Sequence, residues 1–356
     1  MKCLAPWKAI AIRFNGDVTP DCVYTGRNGN LNEDSLPSLM QHPRLLSTQI
    51  SIKNNILPPA CNQCEKKEDI NNHSRRIFFD QILSHVPRTT TNDIRFLEVN
   101  LSNLCNLKCV MCSGVNSTAW IKEDFKLQEL GIERPLNHPD FGYRLIKDDI
   151  IDKLFEYPSY FKNLEYVNIK GGEPFMEDNN IKLLRKLIEL NLHSQITIDL
   201  STNGTTVNPE FEELLSQFKT KIHISIEGTG KLYEYIRGGK NYTWEQFLDN
   251  LPRFEKFDRV ILAGTVMTYN VKQLSQIVEW YKTNTTYEVY FNNTVTTPEY
   301  LNPTLLPDSI LNGTGYVHNQ LLANQLDKFV DFTNKLDNIR NVNVLDVCPE
   351  LASLFT

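Results

Sequence analysis

The sequence predicts an α/β protein, an open or closed barrel of parallel strands and helices, preceded by a small cysteine-rich module. Three observations carry this. From residue 94 onward, short apolar strand-like runs alternate with stretches of helical apolar spacing. From residue 164, successive strand-like runs begin 31, 26, 38 and 28 residues apart, the length of a βα unit. Four of the eight cysteines fall within the first 64 residues, among turn signals such as Asn15-Gly16-Asp17 and Pro58-Pro59.

The strand-like runs are, in order, Ile94 to Leu101, Leu164 to Ile169, Gln195 to Leu200, Lys221 to Ile226, Arg259 to Val266 and Tyr287 to Phe291. Each ends in a polar or Gly-containing turn. Helical spacing is read between them at Asn180 to Leu190, Trp244 to Phe254 and Leu274 to Tyr281. Six parallel strands alternating with helices make a barrel or part of one. Residues 1–80 hold only short apolar alternations and little core, so a metal staple is expected there. A connecting helix over 81–92, the barrel over 93–295 and a C-terminal extension over 296–356 complete the expected organisation.

At 356 residues, the chain suits about two domains. Hydrophobic residues at 41% and charged residues at 22% exclude a disordered or fibrous chain. The net charge of -6 supplies no general attraction to nucleic acid or anionic lipid. The apolar runs are strand-sized, and Met1 to Phe14 carries Pro6 and charges where a signal peptide would be apolar. The expectation is a cytoplasmic protein with neither a nucleic-acid nor a membrane partner.

Cys105, Cys109 and Cys112 lie on the loop that follows the first barrel strand, and strand ends on that side are where α/β barrels place chemistry. Three thiolates so close can bind three irons of a four-iron, four-sulfur cluster and leave the fourth open. The alternatives are a zinc site completed by a distant His, or buried thiols. The second strand runs into Gly171-Gly172-Glu173-Pro174, where backbone can approach a ligand closely or simply turn into a helix. The third ends in Ser201-Thr202-Asn203-Gly204, and the fourth carries Ser225 and Glu227. Hydroxyls and carboxylates there suit ribose hydroxyls, or else helix caps. Arg237 could fork onto a carboxylate or sit as an ordinary loop arginine. His223, alternating within its strand, reads as an interstrand residue.

In order and spelling these motifs resemble the radical S-adenosylmethionine (SAM) superfamily, whose signature CxxxCxxC loop follows the first strand of a partial (β/α)6 barrel. The resemblance implies that Cys105, Cys109 and Cys112 hold a 4Fe-4S cluster completed by SAM. It implies that Gly171, Gly172, Glu173 and Pro174 meet the SAM amino group. Ser201, Asn203, Ser225 and Glu227 would lie along its ribose and methionyl parts, with Arg237 on its carboxylate. The implied chemistry is one-electron cleavage of SAM to methionine and a 5'-deoxyadenosyl radical, with no conventional catalytic triad.

Cys3, Cys22, Cys61 and Cys64 make a full tetrahedral thiolate set, for which zinc is the default metal. Their local text resembles the SPASM/twitch auxiliary-cluster modules of radical SAM enzymes, which implies an auxiliary 4Fe-4S cluster, with zinc as the alternative. Cys348 stands apart and reads as a packing residue. The resemblance further implies an electron donor such as flavodoxin or ferredoxin. The substrate would be a peptide to be modified or a carbohydrate-type or other small alcohol to be oxidised. A reading from a different class is a zinc-stapled binding protein without catalysis.

Overall fold

A computed structural model describes residues 3–71, 74–87, 93–134, 146–238 and 242–355. The expected connecting helix over 81–92 thus lies partly outside the described residues, from 88 onward. The chain divides into two compact units: Met1–Asn103 with Tyr143–Leu200 and Asn208–Thr220, and Leu104–Gly142 with Ser201–Val207 and Lys221–Thr356.

In the first unit the sheet runs in the order β2 (Val18–Thr19), β1 (Ala9–Ile12), β3 (Phe96–Asn100), β4 (Tyr166–Lys170) and β5 (Thr197–Thr202). Only the β1–β2 pair is antiparallel; β1, β3, β4 and β5 run parallel. β3 is buried on both faces, as its apolar Phe96-Leu97 and Val99 require. The N-terminal cysteine-bearing segment therefore does not fold on itself alone: Ala9 to Ile12 pair in register with Phe96 to Val99. A core of Leu4, Ala5, Ala9, Phe79, Leu83, Val86 and Phe96 joins them. Phe78 and Phe79 meet the Phe96 ring edge-on at centroid distances of 6.0 and 5.0 Å. Two short helices, Asn62–Asn71 and Arg75–Ile82, follow the N-terminal strands, and the second ends at the start of the expected connecting helix. Ser74 caps the second through Ile77 N, and this cap marks the break between them.

The second unit carries β6 (Lys219–Ser225) from Lys221 onward, β7 (Arg259–Val266) and β8 (Glu288–Thr294), all parallel. Helices Gly230–Arg237, Trp244–Asn250 and Leu274–Asn284 lie between them in sequence. A Thr243/Gln246 capping box starts the second of these. The C-terminal segment adds the helix Leu326–Arg340, whose Phe329 and Phe332 rings contact Tyr269 and Tyr300 at 5.2 and 4.9 Å. Six strands, β3 to β8, lie where the sequence predicts them, with ends shifted by a few residues. The fold class is the expected α/β one with parallel strands.

Candidate active site

No disulfide joins any of the eight cysteines. In the second unit, the Cys105 to Cys112 segment is an irregular loop with Cys109 buried and Cys105 and Cys112 half-buried. The end of the helix Gly230–Arg237 seats it: Val110 N donates to Ile236 O at 2.8 Å. Gly238 then turns away with φ +107°, and a Cβ there would lie 2.7 Å from Lys108 backbone atoms, so only glycine permits this approach. Asn203 flanks the loop from the other side, with Nδ2 2.9 Å from Asn106 Oδ1 and 3.8 Å from Cys105 Sγ. Thr205 fixes the amide by donating to Asn203 Oδ1 from both N and Oγ1.

Cys109 and Cys112 share a hydrogen bond. It draws the Cys109 thiol below its ordinary value, aided by the nearby Arg237 charge against burial. The same bond, followed by burial, pushes Cys112 well up. Burial opposes the charge of Arg237, but the negative charge at Cys109 and Glu227 outweighs it and holds the proton. Arg237 Nη1 donates to Glu227 Oε2 at 2.8 Å, with both side chains buried. The Glu227 carboxyl is pushed up by burial, and Arg237 works against that shift. Two residues that the sequence assigns to separate parts of a ligand are thus bound to each other. Among the described residues, the buried Nε of Arg237 has no partner. Ser225 ends β6 half-buried, and Ser201 lies half-buried in β5; His223 is a half-buried residue within β6.

In the first unit, β4 ends at Lys170 and gives way to Gly171-Gly172-Glu173-Pro174. Gly172 N donates to Ser102 O at 2.9 Å. Gly171 has φ +153°, and a Cβ on it would stand 2.9 Å from Ser102 O and 3.3 Å from Asn100 Oδ1. Asn100 Oδ1 is a buried acceptor without a partner beside this glycine. Glu173 is buried and its Oε1 caps Phe175 N at 3.2 Å, so its carboxylate shapes the turn. Gly171→Ala is expected to strain the turn by about 1–3 kcal/mol, read as a lower Tm. Asn100 is absent from the sequence-based candidates, although a polar residue closing an apolar strand before the loop is the signal that could have found it.

Cys3, Cys61 and Cys64 line one cavity of the first unit together with Asp21 and Arg76. Burial pushes the Cys3 thiol up to about 12 and that of Cys61 up to about 11. Cys22 does not line this cavity. Its Sγ lies 3.8 Å from Lys170 Nζ, next to a network in which Lys170 and Arg75 both hold Glu98 and Arg75 also holds Asp21. Burial likewise pushes Cys22 up to about 12. Lys170 directly precedes Gly171, so one residue connects the environment of Cys22 with the glycine turn. Lys170 and Arg75 are absent from the sequence-based candidates because their role depends on side chains more than 50 residues away.

Cys348 is fully buried in the second unit and its thiol donates to Tyr269 O at 3.0 Å. Burial pushes that thiol well above its ordinary value. Iodoacetamide is expected to leave Cys348 unmodified in the folded protein at pH 8, and mass mapping of the alkylated cysteines checks this.

The cysteine loop of the second unit and the glycine turn after β4 in the first are the two features that bear on a class of protein. The family model of the radical SAM superfamily matches residues 99–281, just over half of the chain, and the chain belongs to that superfamily. A second model, an iron-sulfur cluster-binding domain of SPASM type, matches residues 3–65. The fold is that of a partial radical SAM barrel with the SPASM-type module at its N-terminus. Membership implies a 4Fe-4S cluster and SAM as cofactors. Among curated proteins the chain is similar to the uncharacterized protein MJ0907 of Methanocaldococcus jannaschii, 24% identical over 152 residues. That match covers 42% of this chain and 43% of the relative, so the chain spans less than half of the relative's length. Among solved structures it is similar to anSMEcpe with bound AdoMet, at 17% identity and TM-score 0.42, covering 70% of this chain and 60% of that one. It is also similar to Streptococcus suis SuiB bound to S-adenosylmethionine, at 16% identity and TM-score 0.31, covering 79% of this chain and 71% of that one. Among the described residues, no helix is long and apolar enough to cross a membrane.

The residues fit these cofactors on their own chemistry. Three cysteines on one loop form a soft sulfur donor set suited to iron. The unpartnered Arg237 Nε suits an anionic group, and the unpartnered Asn100 Oδ1 beside Gly171 suits a cationic or N–H donor.

Proposed function

We propose that the chain cleaves SAM reductively and uses the product to take a hydrogen from a peptide substrate. Cys105, Cys109 and Cys112 hold the catalytic cluster. When bound and reduced, that cluster supplies one electron to the SAM sulfonium, giving methionine and a 5'-deoxyadenosyl radical. The observation that carries this reading is geometric: Cys105, Cys109 and Cys112 lie on one loop that Val110 N seats on Ile236 O, and the buried Arg237 Nε has no partner among the described residues. A buried cation there stabilises thiolates and so favours metal loading over protonation.

The remaining residues bind, orient and exclude water. Gly171, Gly172 and Pro174 offer backbone to the SAM amino group, and buried Glu173 keeps that turn in shape through Phe175 N. Arg237 takes the SAM carboxylate through Nε while Glu227 holds Nη1 and fixes the guanidinium plane. Ser201 and Ser225 offer hydroxyls to the ribose and methionyl parts, and Asn203 orients Cys105 and Asn106. Cys3, Cys61 and Cys64 around their cavity, with Cys22 as the fourth thiol, would hold the auxiliary cluster, which would supply an electron acceptor or relay. A low-potential donor of the flavodoxin or ferredoxin kind supplies the first electron. The pairing of a radical SAM match and a SPASM-type match in one chain supports a second cluster, and the peptide substrate is taken by analogy with the resemblance.

The test is EPR of the anaerobically reconstituted and reduced protein with and without SAM. A cluster signal that changes when SAM is added supports the reading, and an iron signal indifferent to SAM contradicts it. A peptide substrate requires a mass change on a peptide co-expressed with the chain that is lost in the Cys109→Ala variant.

A further inference from the structure

Five carbonyl groups of the cysteine loop are taken by side chains from beyond it, all within the second unit, the longest bond being Thr118 Oγ1 to Cys105 O at 3.4 Å. Ser117 Oγ donates to Leu107 O at 2.6 Å, and Trp120 Nε1 to Cys109 O at 2.8 Å. Arg134 Nη2 donates to Cys112 O at 2.9 Å, and Arg340 Nη2 to Lys108 O at 2.7 Å. Both guanidinium carbons lie 4.7 Å from the Trp120 ring centroid. The side chains of Arg134 and Arg340 are only 4% and 6% exposed.

Two acids of the helix Ile121–Glu129 answer these cations. Arg134 Nε donates to Asp124 Oδ1 at 2.6 Å, and Arg340 Nε donates to Glu123 Oε2 at 3.0 Å. Asp124 also accepts from Gly114 N, two residues beyond Cys112, and Arg134 Nη1 donates to Tyr300 OH at 3.2 Å. Neutral donors would have satisfied the loop carbonyls. Burying two guanidiniums instead costs desolvation, so the charge itself has a consequence at this place. A cation hydrogen-bonded to a peptide carbonyl beside a thiolate stabilises added negative charge there, and hydrogen bonding and net charge around a cluster set its potential.

We propose that Trp120, Arg134 and Arg340 form a clamp of positioning residues behind the cysteine loop. The clamp fixes the spacing of Cys105, Cys109 and Cys112 and raises the reduction potential of the cluster they carry. Arg340 closes the helix Leu326–Arg340, which lies outside both family matches, so the C-terminal segment is part of the redox machinery. This inference rests on the reading that the three cysteines hold the catalytic cluster.

The experiment compares wild type with Arg340→Met and Arg340→Lys, both reconstituted as full chains. Two quantities are read: the rate at which a ferrous chelator strips iron, and the midpoint potential of the EPR signal that responds to SAM. Arg340→Met is expected to release iron about 10-fold faster and to shift the potential to more negative values. Arg340→Lys keeps the charge and is expected to return the potential most of the way to wild type, which a merely structural role would not do. Wild-type release and potential in both variants would overturn the clamp. Should Arg340→Met not fold, Trp120→Phe keeps the ring and removes only the donor to Cys109 O; faster iron release is expected, and unchanged release would contradict the proposal. A wild type whose EPR signal ignores SAM would instead overturn the parent reading and the clamp with it.

Discussion

Replacing Cys105, Cys109 and Cys112 together by alanine is expected to lower the iron content from about eight to about four per chain and to abolish SAM cleavage. The expectation follows from two separate cysteine groups, the loop in the second unit and the set around Cys3, Cys61 and Cys64 in the first. Iron and sulfide analysis with EPR reads the result. Iron that falls to zero while zinc is retained would assign the N-terminal cysteines a structural metal and remove the relay role.

Arg237→Met is expected to cost about 3–5 kcal/mol, because it leaves the buried Glu227 carboxylate without its partner. Denaturant unfolding measures that loss. Removing both groups, Arg237→Met with Glu227→Leu, is expected to recover most of the stability, since a buried pair replaced by apolar groups is often neutral. SAM binding should stay weak in the double variant if Arg237 Nε holds the SAM carboxylate. Recovery of SAM affinity along with stability would show the pair to be structural only.

Much of this architecture was legible before the coordinates. Alternation of apolar runs with helical spacing located β3 to β8, because β3 is a nearly continuous apolar run and β5 and β6 bury every second residue. The spacing of Cys105, Cys109 and Cys112 and the turn at Gly171 were legible because each depends on neighbours in the chain. Ala9–Ile12 as the parallel partner of β3 was not, since a four-residue run carries little periodicity and its partner lies over 80 residues on. The Glu227–Arg237 pairing was likewise hidden, because residue types named both as ligand groups while only side-chain geometry joins them. Arg340 was the least accessible: its carbonyl partner Lys108 is 232 residues away, and nothing local distinguishes it from an ordinary helix-ending arginine.

The central claim is that the loop cysteines support reductive cleavage of SAM. Quantifying 5'-deoxyadenosine and methionine after anaerobic reduction with dithionite tests it most directly. The account predicts both products in equal amounts from wild type and neither from the Cys105→Ala/Cys109→Ala/Cys112→Ala variant. Intact SAM after incubation with a fully reconstituted and reduced wild type, or equal product from the triple variant, would contradict it.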